Sequence, residues 1–129
     1  MKTYFHILFL LLAIQLKATI GPKIVNATRI ALSPKIDGNL DDEAWKSAEI
    51  ASDFIQRSPT PGINSSKKTE VKIIYDDIAI YIGAMMYDEH PDSILRELTT
   101  RDNEANADMF GLIIDTYNDD LNGYGFFVS

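Results

Sequence analysis

The sequence predicts an all-β protein, an antiparallel β-sandwich of the jelly-roll kind, on three observations. Residues 69–75 alternate apolar and polar side chains, as a strand with one buried face does. Residues 79–87 are apolar at nearly every position, which is typical of a strand buried on both faces. Turn residues separate these runs from two further apolar segments, residues 110–116 and 124–129. We therefore expect sheets to form the core.

Residues 1–20 are expected to be a signal peptide. Lys2 provides a basic start, and residues 4–16 are nearly all apolar, a run shorter than a membrane span requires. The alternative is an uncleaved membrane anchor. The remaining chain, which we assign to one domain from residue 33 onward, is then expected to be exported.

The first elements of the mature chain are predicted to be short. Residues 28–32 alternate weakly and could form a first strand. Asp37-Gly38 is a strong turn dipeptide, because glycine accepts a positive φ, and Asp41 or Asp42 can cap a short helix that carries Trp45. A further short strand over residues 50–55 and a proline-containing loop over residues 57–66 follow.

The later elements are predicted from turn residues between apolar runs. The acids at 76–77 join the two central strands into a hairpin, and residues 93–98 could form a helical turn before a polar loop over 99–107. Asn122-Gly123 indicates a second hairpin, between strands 110–116 and 124–129. The last strand has no terminating turn, so we expect the chain to be the N-terminal part of a longer protein.

Charge and composition exclude several classes of function. The net charge is −7, and cysteine does not occur in the sequence. An acidic surface disfavours nucleic acid and anionic lipid as partners, because both bind clustered lysine and arginine. His90 is the only histidine outside the leader, so neither a Ser–His–Asp triad nor a histidine-rich zinc site can be assembled. The sequence therefore predicts no catalytic site in this chain.

One polar loop and one aromatic side chain are the candidates for ligand binding. Binding residues often lie on loops held by a rigid scaffold, and sugars need planar polar groups and a flat aromatic ring. Arg101 could bind sugar hydroxyls or form an ion pair with a buried Asp108. Trp45 could stack on a sugar, although core packing is the favoured interpretation for an indole at helical spacing. The candidate residues are Trp45, Arg101, Asp102, Asn103, Asn106 and Asp108.

The acidic turn after residue 114 is a candidate site for structural calcium. Ca²⁺ takes six to eight oxygen ligands, and the spacing here partly matches the start of an EF-hand loop. The alternative is a solvated hairpin turn, since Asn, Asp and Gly are ordinary turn residues. The candidate ligands are Asp115, Asn118, Asp120 and Asn122.

Four motifs, in this order, resemble the family-9 carbohydrate-binding module, a DOMON-like antiparallel β-sandwich. The resemblance covers residues 33–129, and it is closest to the module at the N-terminus of long exported proteins of Bacteroidetes-like bacteria. The motifs are Ile36-Asp37-Gly38-x-Leu40-Asp41-x-x-x-Trp45, the hairpin Val71-Lys72-Ile73-Ile74-Tyr75-Asp76-Asp77-x-Ala79-Ile80-Tyr81-Ile82, Arg101-Asp102, and Asp108-Met109-Phe110-Gly111-Leu112-Ile113-Ile114-Asp115.

The resemblance implies a non-catalytic module that binds an oligo- or polysaccharide in polysaccharide catabolism. It also implies a glycoside hydrolase or an envelope β-domain beyond residue 129, and a location in the periplasm, outer membrane or extracellular space of a Gram-negative bacterium. The chain departs from the family at two positions: Ala105 stands where a ligand-stacking tryptophan is found, and Gly111 where a glutamate is found. The alternatives are an interaction β-sandwich that has lost sugar binding, and part of a hydrolase of O-glycosyl bonds.

Overall fold

The computed structural model describes residues 23–95, 97–98, 100, 103 and 106–129. The predicted signal peptide, Arg101, Asp102 and Ala105 lie outside the described residues. The regular secondary structure of the described part is mostly β-strand with almost no helix, so the all-β prediction is confirmed at that level. The elements are β1 (Thr28–Arg29), α1 (Glu43–Lys46), β2 (Thr69–Tyr75), β3 (Ile80–Met86), a 3₁₀ turn (Pro91–Ser93), β4 (Phe110–Ile114) and β5 (Tyr124–Val128).

The chain divides into two compact units. The first unit contains the described residues up to Ser52 together with Glu70–Ala84, and the second contains Asp53–Thr69 together with Met85–Ser129. Within the described ranges, no helix has the length and apolar character needed to cross a membrane.

The first unit is built on a three-stranded sheet in the order β1-β2-β3. β1 pairs in parallel with β2, with Thr28 opposite Ile74 and Arg29 opposite Tyr75. A small core forms against this sheet, because the apolar side chains of α1 pack there. The core consists of Ile30, Trp45, Ala48 and Ile74, with Leu40, Ala44 and Tyr81 packed against it.

β2 buries residues on both faces, whereas alternation predicts one buried face: Val71, on the predicted face, is buried as expected. The pattern places Val71, Ile73 and Tyr75 inside, but Ile74 is the fully buried residue (0% exposed), and Tyr75 is exposed. Val71 and Ile74 lie on opposite sides of the strand because successive side chains alternate. The reason is tertiary: Trp45 packs with Ile74, on the face that the pattern assigns to solvent.

The helix begins where the sequence predicts but is capped differently. Asp42 occupies the N-cap position, yet its side chain makes no capping hydrogen bond. Its Oδ2 instead accepts a hydrogen bond from the backbone N–H of Lys35, at 2.9 Å. The carboxylate therefore fixes the preceding turn, and the helix extends for only four residues, with Trp45 as its buried side chain.

The strand predicted at residues 50–55 does not form. Only two isolated bridges occur there, Ala51 with Val71 and Ile55 with Asn64, both antiparallel. Asp53 between them has a φ of 54°, in the left-handed region, so the extended backbone is interrupted. The loop predicted after it is confirmed: residues 57–68 contain no strand longer than a single bridge.

The second unit contains the antiparallel hairpin β4–β5 and the 3₁₀ turn. The helical turn predicted at residues 93–98 is replaced by this turn, which begins at Pro91 and ends at Ile94 because Ile94 is extended (φ −65°, ψ 119°). In the hairpin, Gly111 is opposite Phe127 and Leu112 is opposite Phe126. Phe126 and Phe127 therefore point to opposite faces of the two-stranded sheet.

Candidate functional site

The second unit contains an open cleft of about 360 Å³. It lies between the segment that follows the 3₁₀ turn and the residues that flank the hairpin. Its wall combines aliphatic side chains with two carboxylates, Glu97 and Asp108. The lining residues are Ile94, Leu95, Glu97, Leu98, Ala107, Asp108 and Ser129.

One non-local hydrogen bond connects the two segments of the cleft. The backbone N–H of Asn106 donates to Oε2 of Glu97, at 2.9 Å. Glu97 therefore holds the segment before the polar loop against the segment after it. Asp108 follows two residues later, just before β4 begins at Phe110, so the strand fixes the position of its backbone.

The predicted ligand residues of the loop have different outcomes. Asp108 lines the cleft and is exposed, so it is not the buried carboxylate that an internal ion pair with Arg101 would require. Asn106 lies beside the cleft, where its backbone is held by Glu97. Asn103 is hydrogen-bonded to Thr100: its N–H donates to the Thr100 carbonyl at 3.1 Å, and its side-chain amide donates to the Thr100 hydroxyl at 2.5 Å.

Trp45 lies in the first unit and is part of its core. It is 3% exposed, and its ring packs over Gly83 of β3. A ring buried in this way presents no free face for a sugar. The indole Nε1 is buried and has no hydrogen-bond partner among the residues that the structure describes. Lys72 Nζ donates to the Trp45 carbonyl at 3.0 Å. The burial of the ring and its packing over Gly83 favour the interpretation of Trp45 as a core residue.

Sequence reasoning missed Glu97 and the aliphatic residues of the cleft. Leu95 and Leu98 are three residues apart, which favours an amphipathic helical turn rather than a cleft wall. What marks these residues as a cleft wall is their exposure in the structure: Ile94, Leu95 and Leu98 are exposed although they are large and apolar. Exposure of this kind cannot be read from the sequence.

The acidic turn between β4 and β5 organises its own backbone. Asp115 accepts hydrogen bonds from the N–H groups of Tyr117 (3.1 Å) and Asp120 (2.9 Å). Asp119 accepts two from the backbone N–H groups of Leu121 and Asn122, both at 2.9 Å. Hydrogen bonds lower the pKa of both carboxyl groups. For Asp115 the main cause is the bond from the Asp120 N–H. For Asp119 it is the bond from the side-chain amide of Asn122, at 2.8 Å.

The hairpin that Asn122-Gly123 indicates is present, and its two strands are joined by a long turn. The connection extends from Asp115 to Gly123, and the left-handed residues are Asn118 (φ 51°) and Asp120 (φ 57°). Asp119 was not among the predicted calcium ligands, yet its carboxylate makes several of the bonds in the turn. Among the residues that the structure describes, no group of three or more His, Cys, Asp or Glu side chains is arranged to hold a metal ion.

The hairpin carries one aromatic ring in an unusual position. The ring of Phe127 lies over two glycines: its Cδ1–Cε1 edge is next to Gly111, and its Cε2 edge is next to Gly125. A Cβ at Gly111 would lie 2.5 Å from Cε1 of Phe127, and a Cβ at Gly125 would lie 2.8 Å from Cε2. The ring is nevertheless 62% exposed. Sequence reasoning did not single out Phe127, because an aromatic residue in a strand is ordinarily a packing residue.

Comparison of this chain with family models, curated proteins and solved structures gives no match.

Proposed function

We propose that this chain is a non-catalytic carbohydrate-binding module with a β-sandwich fold, and that the cleft of the second unit is its sugar site. The resemblance in motif order supports the sandwich and the ligand class. It extends the proposal to an exported protein of a Gram-negative envelope, in which the module accompanies a glycoside hydrolase or a further β-rich domain.

The observation that carries the proposal is the pairing of two carboxylates with an aliphatic wall in one cleft. Sugar rings present hydroxyl groups around their edge and C–H groups on their faces. Asp108 and Glu97 supply hydrogen-bond acceptors for hydroxyls, and charged acceptors make stronger bonds than neutral ones. Ile94, Leu95 and Leu98 supply apolar contact.

The size of the cleft fits a short part of a glycan. Its volume of about 360 Å³ is near the lower end of the range of roughly 300–1,000 Å³ for small-molecule sites. The cleft is open, as a site for one segment of a longer chain must be. Its acidic lining also favours neutral over anionic sugars, because carboxylates repel uronate and sulfate groups.

Titration calorimetry with neutral oligosaccharides of glucose, xylose and mannose tests the proposal. We expect binding by the unsubstituted protein and an at least tenfold loss of affinity, about 1.4 kcal/mol, in Asp108→Ala. The matched control is Asp41→Ala, which removes an exposed carboxylate from the first unit and should bind as the unsubstituted protein does.

Two results contradict the proposal. If the unsubstituted protein binds none of these sugars, the alternative of an interaction domain without sugar binding is favoured. If the protein binds sugar but Asp108→Ala and Asp41→Ala bind equally well, the sugar site lies outside this cleft.

A further inference from the structure

Phe127 is an exposed aromatic ring held in place by the backbone beneath it. It extends from β5 over Gly111 on the neighbouring strand and over Gly125 on its own strand. A side chain at either glycine would come within 3.0 Å of the ring, so both positions must lack a Cβ for the ring to lie there. The two glycines therefore restrict the ring without covering its outer side.

The two strands that carry and flank this ring contain no charged side chain. The strands β4 and β5 contain no Asp, Glu, Lys or Arg, although charged residues make up 24% of the chain. By strand alternation, the residues that share a face with Phe127 are Gly111, Ile113 and Gly125. Such a face offers dispersion contact and a π surface but no ion-pairing group, which favours a ligand that is uncharged where it touches the ring.

The ring lies near the cleft in the same unit. Ser129 lines the cleft and follows Phe127 by two residues. Residues two apart in an extended chain are about 7 Å apart, and Ser129 directly follows the last residue of β5, Val128. A ligand in the cleft can therefore continue across Ser129 onto the ring of Phe127.

We propose that Phe127 is a stacking platform that binds a pyranose ring of a neutral oligosaccharide whose neighbouring sugar occupies the cleft. This inference rests on the proposed function, and adds that the side chain of Phe127 contacts the sugar and that the sugar is uncharged. Sugar rings present C–H groups on one face, and the electron-rich face of an aromatic ring attracts them while it removes apolar surface from water. The preset position of Phe127 lowers the entropy lost on binding.

The test is calorimetry with neutral hexasaccharides of glucose, xylose and mannose, and with a hexamer of galacturonic acid as the anionic probe. We expect Phe127→Ala to weaken binding of the neutral probe at least tenfold. Phe127→Leu retains apolar volume but removes the π face, and should weaken binding similarly, while Phe127→Trp should restore it. The control is Tyr117→Ala, which removes an exposed aromatic ring (70% exposed) from the connecting turn and should bind within twofold of the unsubstituted protein.

Each outcome separates this inference from the proposed function. If the unsubstituted protein binds a neutral hexasaccharide and the alanine and leucine variants at position 127 bind equally well, Phe127 is not the platform, and the cleft remains the sugar site. Binding of the galacturonic acid hexamer with equal affinity overturns the neutral class. If no neutral hexasaccharide binds to the unsubstituted protein, both proposals are wrong. Circular dichroism of each variant verifies the fold.

Discussion

Trp45 lies directly over Gly83, so the helix α1 approaches β3 at the one position of that strand without a side chain. A Cβ at Gly83 would lie 3.2 Å from Cη2 of Trp45 and 2.6 Å from Cδ2 of Leu40. The core of the first unit therefore depends on a small residue in the sheet as well as on the large residues above it. Close packing of this kind has little room for an added methyl group.

We expect Gly83→Ala to destabilise the first unit by about 1–3 kcal/mol, the usual cost of an extra methyl group in a packed core. Urea unfolding followed by the emission of Trp45, the only tryptophan, measures this unit directly. Leu40→Ala should create space, so the double variant Leu40→Ala/Gly83→Ala should lose less stability than the sum of the two single changes. Additive losses would mean that the new methyl group does not meet Leu40.

The buried indole N–H of Trp45 leads to a second prediction. Within the described part of the chain its Nε1 has no hydrogen-bond partner, and an unsatisfied buried donor costs about 1–3 kcal/mol. Trp45→Phe removes both this cost and part of the packed ring, so we expect a net change within about 1 kcal/mol. Trp45→Ala leaves a cavity and should cost about 3–5 kcal/mol.

Thermal unfolding by far-ultraviolet circular dichroism compares the two variants without relying on tryptophan emission. If Trp45→Phe is as destabilising as Trp45→Ala, the indole N–H makes a hydrogen bond after all, and a buried water is the simplest acceptor.

Asp76 makes the stability of the first unit sensitive to acid. Its carboxylate accepts hydrogen bonds from the hydroxyls of Ser33 (2.7 Å) and Tyr81 (2.8 Å) and from the N–H groups of Ile78 and Ala79 (both 2.8 Å). These bonds, that of Ser33 first, hold the pKa of Asp76 far below its usual value. The folded state therefore binds the proton more weakly than the unfolded state does.

The sign of the pH effect follows from this difference. The contribution of Asp76 is fully present above the ordinary aspartate pKa of about 3.9 and is lost as the pH falls below it towards the folded-state pKa. We expect the unfolding free energy of the first unit to fall between about pH 4 and pH 2, and Asp76→Asn to flatten that dependence. Asp41→Asn, an exposed acid of the same unit, is the control. An unchanged slope in Asp76→Asn would assign the acid sensitivity to other carboxylates.

The strands could be predicted from the sequence more closely than the faces they bury. β2 matches its predicted range, and β3, β4 and β5 match within two residues at each end, because alternation and turn residues are local signals. The burial of Ile74 could not be predicted, because it depends on Trp45 packing from a separate segment. The left-handed backbone of Asp53, which interrupts the predicted strand at residues 50–55, has no local signal either.

The candidate site shows the same division between local and non-local information. Asn106 and Asp108 lie in the loop that the sequence marks as polar, and both lie at or beside the cleft. Glu97 and Ser129 join it from other parts of the chain. Their approach depends on the pairing of β4 with β5, which the sequence predicts, and on the hydrogen bond from Asn106 to Glu97, which leaves no pattern in the sequence.

The turn between β4 and β5 gives a prediction that separates a calcium site from a hydrogen-bonded turn. The oxygens of Asp119 hold the N–H groups of Leu121 and Asn122, so we expect Asp119→Ala to lower the melting temperature of the second unit. Asp119→Asn retains one acceptor oxygen suited to such turns and should lose less. Thermal unfolding followed by near-ultraviolet circular dichroism, to which Tyr117 in the turn and Tyr124 after it contribute, measures the change.

If the hydrogen bonds alone stabilise the turn, neither excess EDTA nor added calcium chloride should change the melting temperature of the second unit. Calcium takes six to eight oxygens, so a calcium site here would have to bring several carboxylate and amide oxygens of the turn together around the ion. A rise in melting temperature with calcium in the unsubstituted protein, absent in Asp115→Asn, would establish the metal site and contradict the hydrogen-bonded turn.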